Sequence, residues 1–118
     1  MLNLNHKKLE VWKESIELVK VIYNITANFP KSELFGLSSQ LRRAGVSIAS
    51  NIAEGCSRKF SIERKRFFEI SRSSLVEIDT QLEISLQLNY VKNGELEILS
   101  ESINKLFAKL SNLILKTN

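Results

Sequence analysis

A single cysteine in 118 residues excludes a disulfide framework and a cysteine-based zinc site within one chain. A single histidine, His6, leaves most histidine-dependent acid–base chemistry without its residue. One proline and four glycines are too few for the many tight turns of a sandwich or barrel. No apolar run approaches the roughly 18 to 20 residues of a membrane span, and Met1–Lys8 has no apolar signal core. A soluble, cytoplasmic chain is therefore expected. What is present is 43% hydrophobic and 25% charged, too apolar for a disordered chain. The length suits one domain spanning residues 1–118.

Breaks are sparse and divide the chain into four similar lengths. Phe29-Pro30-Lys31-Ser32 is one, because proline disfavours helix both before and at its own position. Gly55-Cys56-Ser57-Arg58-Lys59 is a second, with Gly55 available as a helix terminator. Lys92-Asn93-Gly94 is the third, where Asn93 suits a cap and Glu95 and Glu97 suit the positive start of a helix.

Between the breaks, apolar residues recur at three and four. The last segment carries Leu96, Leu99, Ile103, Leu106, Leu110 and Leu113 in unbroken alternation. The first carries Leu9, Trp12, Ile16, Val19 and Tyr23. The second carries Leu34, Leu37, Leu41, Ala44, Ile48 and Ile52, and the third Phe68, Leu75, Ile78, Leu82 and Leu86. Four amphipathic helices with short connections predict an all-α, antiparallel up-down-up-down four-helix bundle.

The first three helices hold more apolar residues than one stripe needs. Val11, Leu18, Ile22, Ile25 and Phe29 lie a quarter to a third of a turn round from Trp12 and Val19. Val46, Ala49 and Ala53 form a second strip on helix two, and Ile70, Ile84 and Leu88 one on helix three. Two readings stand: these residues widen the core, or part of this surface is buried between subunits. The small residues Ala44, Gly45, Ser47, Ala49, Ser50 and Ala53 admit a closely packed helix from this chain or from another.

The net charge of +4 is uneven. Arg42 to Arg72 holds eight basic and three acidic residues, leaving the remainder at −1. Arg58, Lys59, Arg64, Lys65 and Arg66 cluster around the turn between helices two and three. That turn is a candidate phosphate-binding surface, with Ser57 and Ser61 as further contacts and Phe60 or Phe67 to stack on a base. Basic residues opening helix three oppose its dipole, a locally unfavourable placement that hints at function. No groove-reading motif is present, so sequence-specific recognition is not expected.

Helix two has a polar strip, Arg43, Ser47, Ser50, Asn51 and Glu54, and helix three offers Ser71, Arg72, Ser74, Glu77 and Asp79. Glu54 beside Arg72, or Arg43 beside Glu77, would join the two helices. Carboxylates without a histidine partner or a Gly-rich phosphate loop make a poor enzyme site, and the Glu-x-x-His pairs of a di-iron bundle are missing. His6 reads as a solvated residue before the first helix and Trp12 as core. Cys56 reads as a small, half-buried helix end, although neighbouring cations would lower its pKa.

Leu9-Glu10-Val11-Trp12, Gly36-Leu37-Ser38-Ser39-Gln40-Leu41-Arg42-Arg43-Ala44 and Ser47-Ile48-Ala49-Ser50-Asn51-Ile52-Ala53-Glu54-Gly55 resemble the four-helix-bundle proteins of the 23S rRNA intervening-sequence family. Ser71-Arg72-Ser73-Ser74-Leu75-Val76-Glu77 and Gln81-Leu82-Glu83 resemble its third-helix motif, with Ser73 where the family more often has glycine. The resemblance covers nearly the whole chain. It implies an antiparallel bundle, homopentameric rings and no established enzyme activity. Members are often encoded within insertions in bacterial 23S rRNA genes. Related accessory proteins of diversity-generating retroelements are basic rings that contact nucleic acid and a reverse transcriptase. Arg42, Arg43, Asn51, Glu54, Arg72 and Glu77 match the family's polar positions.

The expectation is a cytoplasmic, non-enzymatic homo-oligomer, a pentamer in the first instance, binding RNA or another nucleic acid through Arg58, Lys59, Arg64, Lys65 and Arg66. Helices one to three would supply the subunit contacts. The alternative is an oligomeric scaffold that recruits a protein partner without binding nucleic acid. No cofactor, metal or membrane contact is expected.

Overall fold

Four helices account for most of residues 1–118, all of which are described by the computed structural model: α1 (Glu10–Thr26), α2 (Leu37–Ser57), α3 (Ser61–Gln87) and α4 (Asn93–Lys116). Short 3-10 turns at Asn5–Lys8 and Lys31–Glu33 precede α1 and α2. Each helix packs on its neighbours in the chain, and α4 closes onto α1, with no close backbone approach between α1 and α3 or between α2 and α4. This is the square, up-down-up-down bundle the periodicity predicts. Its long dimension of 43 Å is set by α3, whose 27 residues extend about 40 Å at ~1.5 Å per residue.

The interior is a continuous cluster that includes Leu18, Ile22, Leu41, Ile48, Ile52, Leu75, Ile78, Leu106 and Leu110. The predicted stripes of α2, α3 and α4 point inward, except that Leu34 lies outside α2 and is exposed. In α1 the prediction is reversed. Val11, Leu18 and Ile22 are buried, whereas Trp12, Ile16 and Val19 are half-buried and Tyr23 is exposed.

Hydroxyl residues explain the reversal. The inward face of α1 runs Val11, Ser15, Leu18, Ile22, Thr26, again at threes and fours. Ser15 donates to the Trp12 carbonyl at 2.6 Å and Thr26 to the Ile22 carbonyl at 2.7 Å. Each small polar side chain is satisfied by its own helix, so its burial leaves no donor unpaired. His6 also differs from expectation: it is buried, with its ring edge-on to Trp12 at 5.2 Å.

The α2–α3 seam is the most extensive contact in the molecule. Ser71 donates to the Ile48 carbonyl at 2.8 Å, and Ser74 to the Ser47 hydroxyl at 2.9 Å. Gly55 does not terminate α2, which continues to Ser57. A Cβ there would stand 2.6 Å from the Phe68 ring, so glycine is required by close approach and not by a turn. Gly45 plays the same part toward α1, where a Cβ would lie 3.1 Å from Ile22 Cδ1.

The third break falls slightly earlier than predicted. Asn89 adopts φ 63°, the Tyr90 N–H bonds the Ser85 carbonyl at 2.8 Å, and the Asn89 N–H bonds the Leu86 carbonyl at 3.0 Å. This is a Schellman ending with asparagine in place of glycine. Lys92, not Asn93, occupies the position before α4, and its N–H is accepted by Glu95 at 3.2 Å. Glu33, unremarked in the sequence, ties two connections together. It accepts the Leu37 N–H at the start of α2 at 3.1 Å and the Tyr90 hydroxyl at 2.9 Å.

Candidate nucleic-acid interface

Only Arg58, Lys59 and Phe60 separate α2 from α3, so the basic cluster sits at one end of the bundle. Arg58 bonds Glu54 at 3.1 Å, which offsets part of its charge, and its guanidinium lies 4.9 Å from the centre of the Phe67 ring. Lys59 and Arg66 are exposed, and Lys65 is half-buried. Arg64 is half-buried as well, and its Nε is enclosed without a hydrogen-bond partner. Because successive residues turn by about 100°, Arg64, Lys65 and Arg66 fan around the helix and do not share one face.

The two stacking candidates separate clearly. Phe67 is half-buried beneath Arg58, while Phe60 is exposed with the Lys59 ammonium 5.7 Å from its centre. The Ser57 hydroxyl donates to the Glu54 carbonyl at 2.8 Å and is committed to its own helix. Phe60 precedes α3 in an extended conformation and no side chain caps the helix. The first-turn amides and the positive helix end therefore add to the cationic field.

Antiparallel packing enlarges this end beyond the turn. The start of α1 lies beside the end of α2: His6 shares a groove with Ala53, and Asn5–Lys8 packs on α2. Lys7 and Lys8 are carried there with it. The end of α4, with Lys116, lies by the same topology beside the start of α3. These three lysines were not singled out in the sequence, although the predicted up-down topology already placed them here. Toward the opposite end, Asp79, Glu83, Glu97 and Glu101 line one acidic groove between α3 and α4.

The polar positions of α2 and α3 do not form the predicted ion pairs. Glu54 bonds Arg58, and Arg72 crosses to α4, where it donates to Ser111 at 3.1 Å and lies 5.8 Å from the Phe107 ring centre. Helix α3 presents Arg72 on its α4 side, which rules out the Glu54 partnership. Arg43 and Glu77 line one groove but make no ion pair. Arg42 is half-buried, 4.7 Å from the Tyr23 ring centre, and donates to Thr26 at 2.9 Å. Asn51 donates to the Ser47 carbonyl at 2.8 Å. Arg42 and Arg43 stand about 24 Å along α2 from Arg58, at the other end of the bundle. The positively charged stretch thus divides between two places.

The displaced pKa values belong to structural contacts. The Leu37 N–H, then the Tyr90 hydroxyl, hold the Glu33 carboxyl below its ordinary 4.5. Glu33 in turn raises the Tyr90 phenol. Glu14, then Glu10, raise the Lys109 ammonium where it bridges α4 to α1 at 2.5 and 3.1 Å. Burial raises the Cys56 thiol and outweighs the opposing charge of Arg64. The cations around it therefore do not make Cys56 an activated nucleophile.

An all-helical bundle with one cationic end and no helix long and apolar enough to cross a membrane defines the class. The family model described as 23S rRNA-intervening sequence protein matches residues 7–112, and the chain belongs to that family. The crystal structure of a protein with unknown function from the S23 ribosomal protein family of Bacteroides thetaiotaomicron is similar, with a TM-score of 0.79 at 22% identity. The match covers 88% of this chain and 97% of that one, and it establishes the shared fold. No curated protein matches the chain.

Proposed function

We infer that this protein is a non-enzymatic, cytoplasmic homo-oligomer that binds RNA or another nucleic acid through phosphate contacts at its cationic end. The observation that carries the reading is that one end of the bundle gathers Lys7 and Lys8 before α1, Arg58 and Lys59 in the turn, Lys65 and Arg66 in the first turns of α3, whose start is uncapped, and Lys116 at the end of α4. Cations gathered from four chain segments attract a phosphate backbone without reading its bases. Exposed Phe60 supplies a surface on which an unpaired base stacks. Oligomerisation repeats the patch and multiplies its field. A ring of five is the assembly the family resemblance implies. Glu33, Tyr90 and Lys109, whose pKa values are displaced, are engaged in ties between chain segments.

The test is fluorescence anisotropy with a labelled single-stranded RNA. Native protein is compared with a variant carrying Gln at Arg58, Lys59, Lys65 and Arg66. Arg64 is retained because its enclosed Nε and its backbone against Gly55 give it a packing role. The expected result is native binding that weakens with salt, and a loss of roughly tenfold or more in a variant of unchanged oligomeric mass. Equal, feeble binding by both proteins would overturn the reading and leave a scaffold recruiting a protein partner.

A further inference from the structure

We propose that the cationic end selects unpaired nucleic acid over duplex, because Phe60 and Ile62 stand out from it as two apolar tips that exposed bases cover. The inference rests on the nucleic-acid reading above and names its substrate class, a single strand. Phe60 is 62% exposed and Ile62 is 83% exposed, and neither belongs to the apolar core. They are two residues apart where α3 begins, so their Cα atoms lie within about 7 Å of each other.

Cations flank both tips. The Lys59 ammonium lies 5.7 Å from the centre of the Phe60 ring. Lys65 and Arg66 follow Ile62 by three and four residues and therefore share its face of α3. Arg66 is exposed and makes no ion pair. Glu63 is the only acid between Ser57 and Phe68. Apolar tips set among cations match a polymer in which bases and phosphates alternate. They match a protein partner less well, since the cores of protein–protein interfaces are depleted in lysine.

Pairing decides whether the tips are covered. In an A-form duplex the major groove is too deep and narrow for side chains to read, and the shallow minor groove presents hydroxyls and base edges. A continuous duplex thus offers its phosphates to the cations but leaves Phe60 and Ile62 in water, unless a base step is unstacked at some cost. A single strand offers phosphates and base faces together. Neither side chain has a hydrogen-bonding group, so the selection is for strand state and not for base sequence.

The test compares native protein with Phe60→Ala/Ile62→Ala by fluorescence anisotropy across a salt series. The probe is one RNA without self-complementarity, free as a single strand or annealed to its complement. Thermal unfolding checks that the two substitutions, both at exposed positions, leave the fold intact. The native protein is expected to bind the single strand about tenfold or more tighter than the duplex, although the duplex carries the denser charge. The variant is expected to lose about tenfold on the single strand while keeping its duplex affinity. Its salt slope is unchanged, because no cation has been removed. The native comparison tests the strand preference independently of either substitution. Native binding as tight to duplex as to single strand would overturn the inference and leave the nucleic-acid reading standing. A variant that still discriminates, or that weakens equally on both probes, would overturn the assignment to Phe60 and Ile62. No native binding to either probe would overturn both readings.

Discussion

Ser71 carries a hydroxyl into the interior between α2 and α3, and its bond to the Ile48 carbonyl makes that burial tolerable. Ser15, Thr26, Ser74 and Ser85 do the same through carbonyls of their own helices. Apolar periodicity does not mark such residues, so the inward face of α1 differs from the one its apolar spacing predicts. At Gly55 a glycine near a helix end suggests a turn, whereas the Phe68 ring leaves no room for a Cβ. Gly55→Ala is expected to destabilise by about 1–3 kcal/mol through overpacking. A lower urea midpoint with an unchanged slope checks it. At Asn89, a β-branched side chain meets the left-handed backbone unfavourably. Asn89→Val is expected to cost roughly 1–2 kcal/mol while Asn89→Gly holds stability, a contrast readable by thermal unfolding.

Helix boundaries were legible wherever proline or a polar run interrupted the periodicity, and α4 was read most directly because its stripe is unbroken. Helix α1 was not, because it presents apolar residues on two adjacent faces. Wheel geometry does not decide which face turns inward; the close approach at Gly45 and the back-bonded Ser15 and Thr26 do. The connections depend on Glu33, whose carboxylate serves the first turn of α2 and the Tyr90 hydroxyl together. Its pKa is lowered in the fold, so its contribution is present above the ordinary 4.5 and is lost as pH falls through the lowered value. Glu33→Gln is expected to lower stability by a constant amount above that point, the difference from native shrinking on acidification. Urea midpoints measured across pH would show it. Tyr90 and Lys109 have raised values, so their contributions hold below 10.0 and 10.5 and fall as pH rises through the folded values.

Along its 43 Å axis the molecule is most cationic where α2 meets α3, while one groove between α3 and α4 toward the other end is acidic. The turn from Arg58 to Arg66 was legible as a basic cluster in sequence. Its enlargement by Lys7, Lys8 and Lys116 is a product of antiparallel packing, while Glu54 and the burial of Arg64 reduce it. The bridges predicted between polar residues of α2 and α3 do not form, because each side chain's direction depends on helix rotation that spacing alone does not supply. The most direct measurement of the central claim is the salt dependence of RNA affinity. It would compare native protein with the four-site turn variant and with Lys7→Gln/Lys8→Gln/Lys116→Gln. Each phosphate neutralised on a single strand contributes a slope of about −0.7 in log K against log salt. The account predicts a steep native slope that becomes shallower in both variants, because the two groups lie at the same end of the bundle. A native slope near zero, or a slope untouched by either set of substitutions, would contradict it.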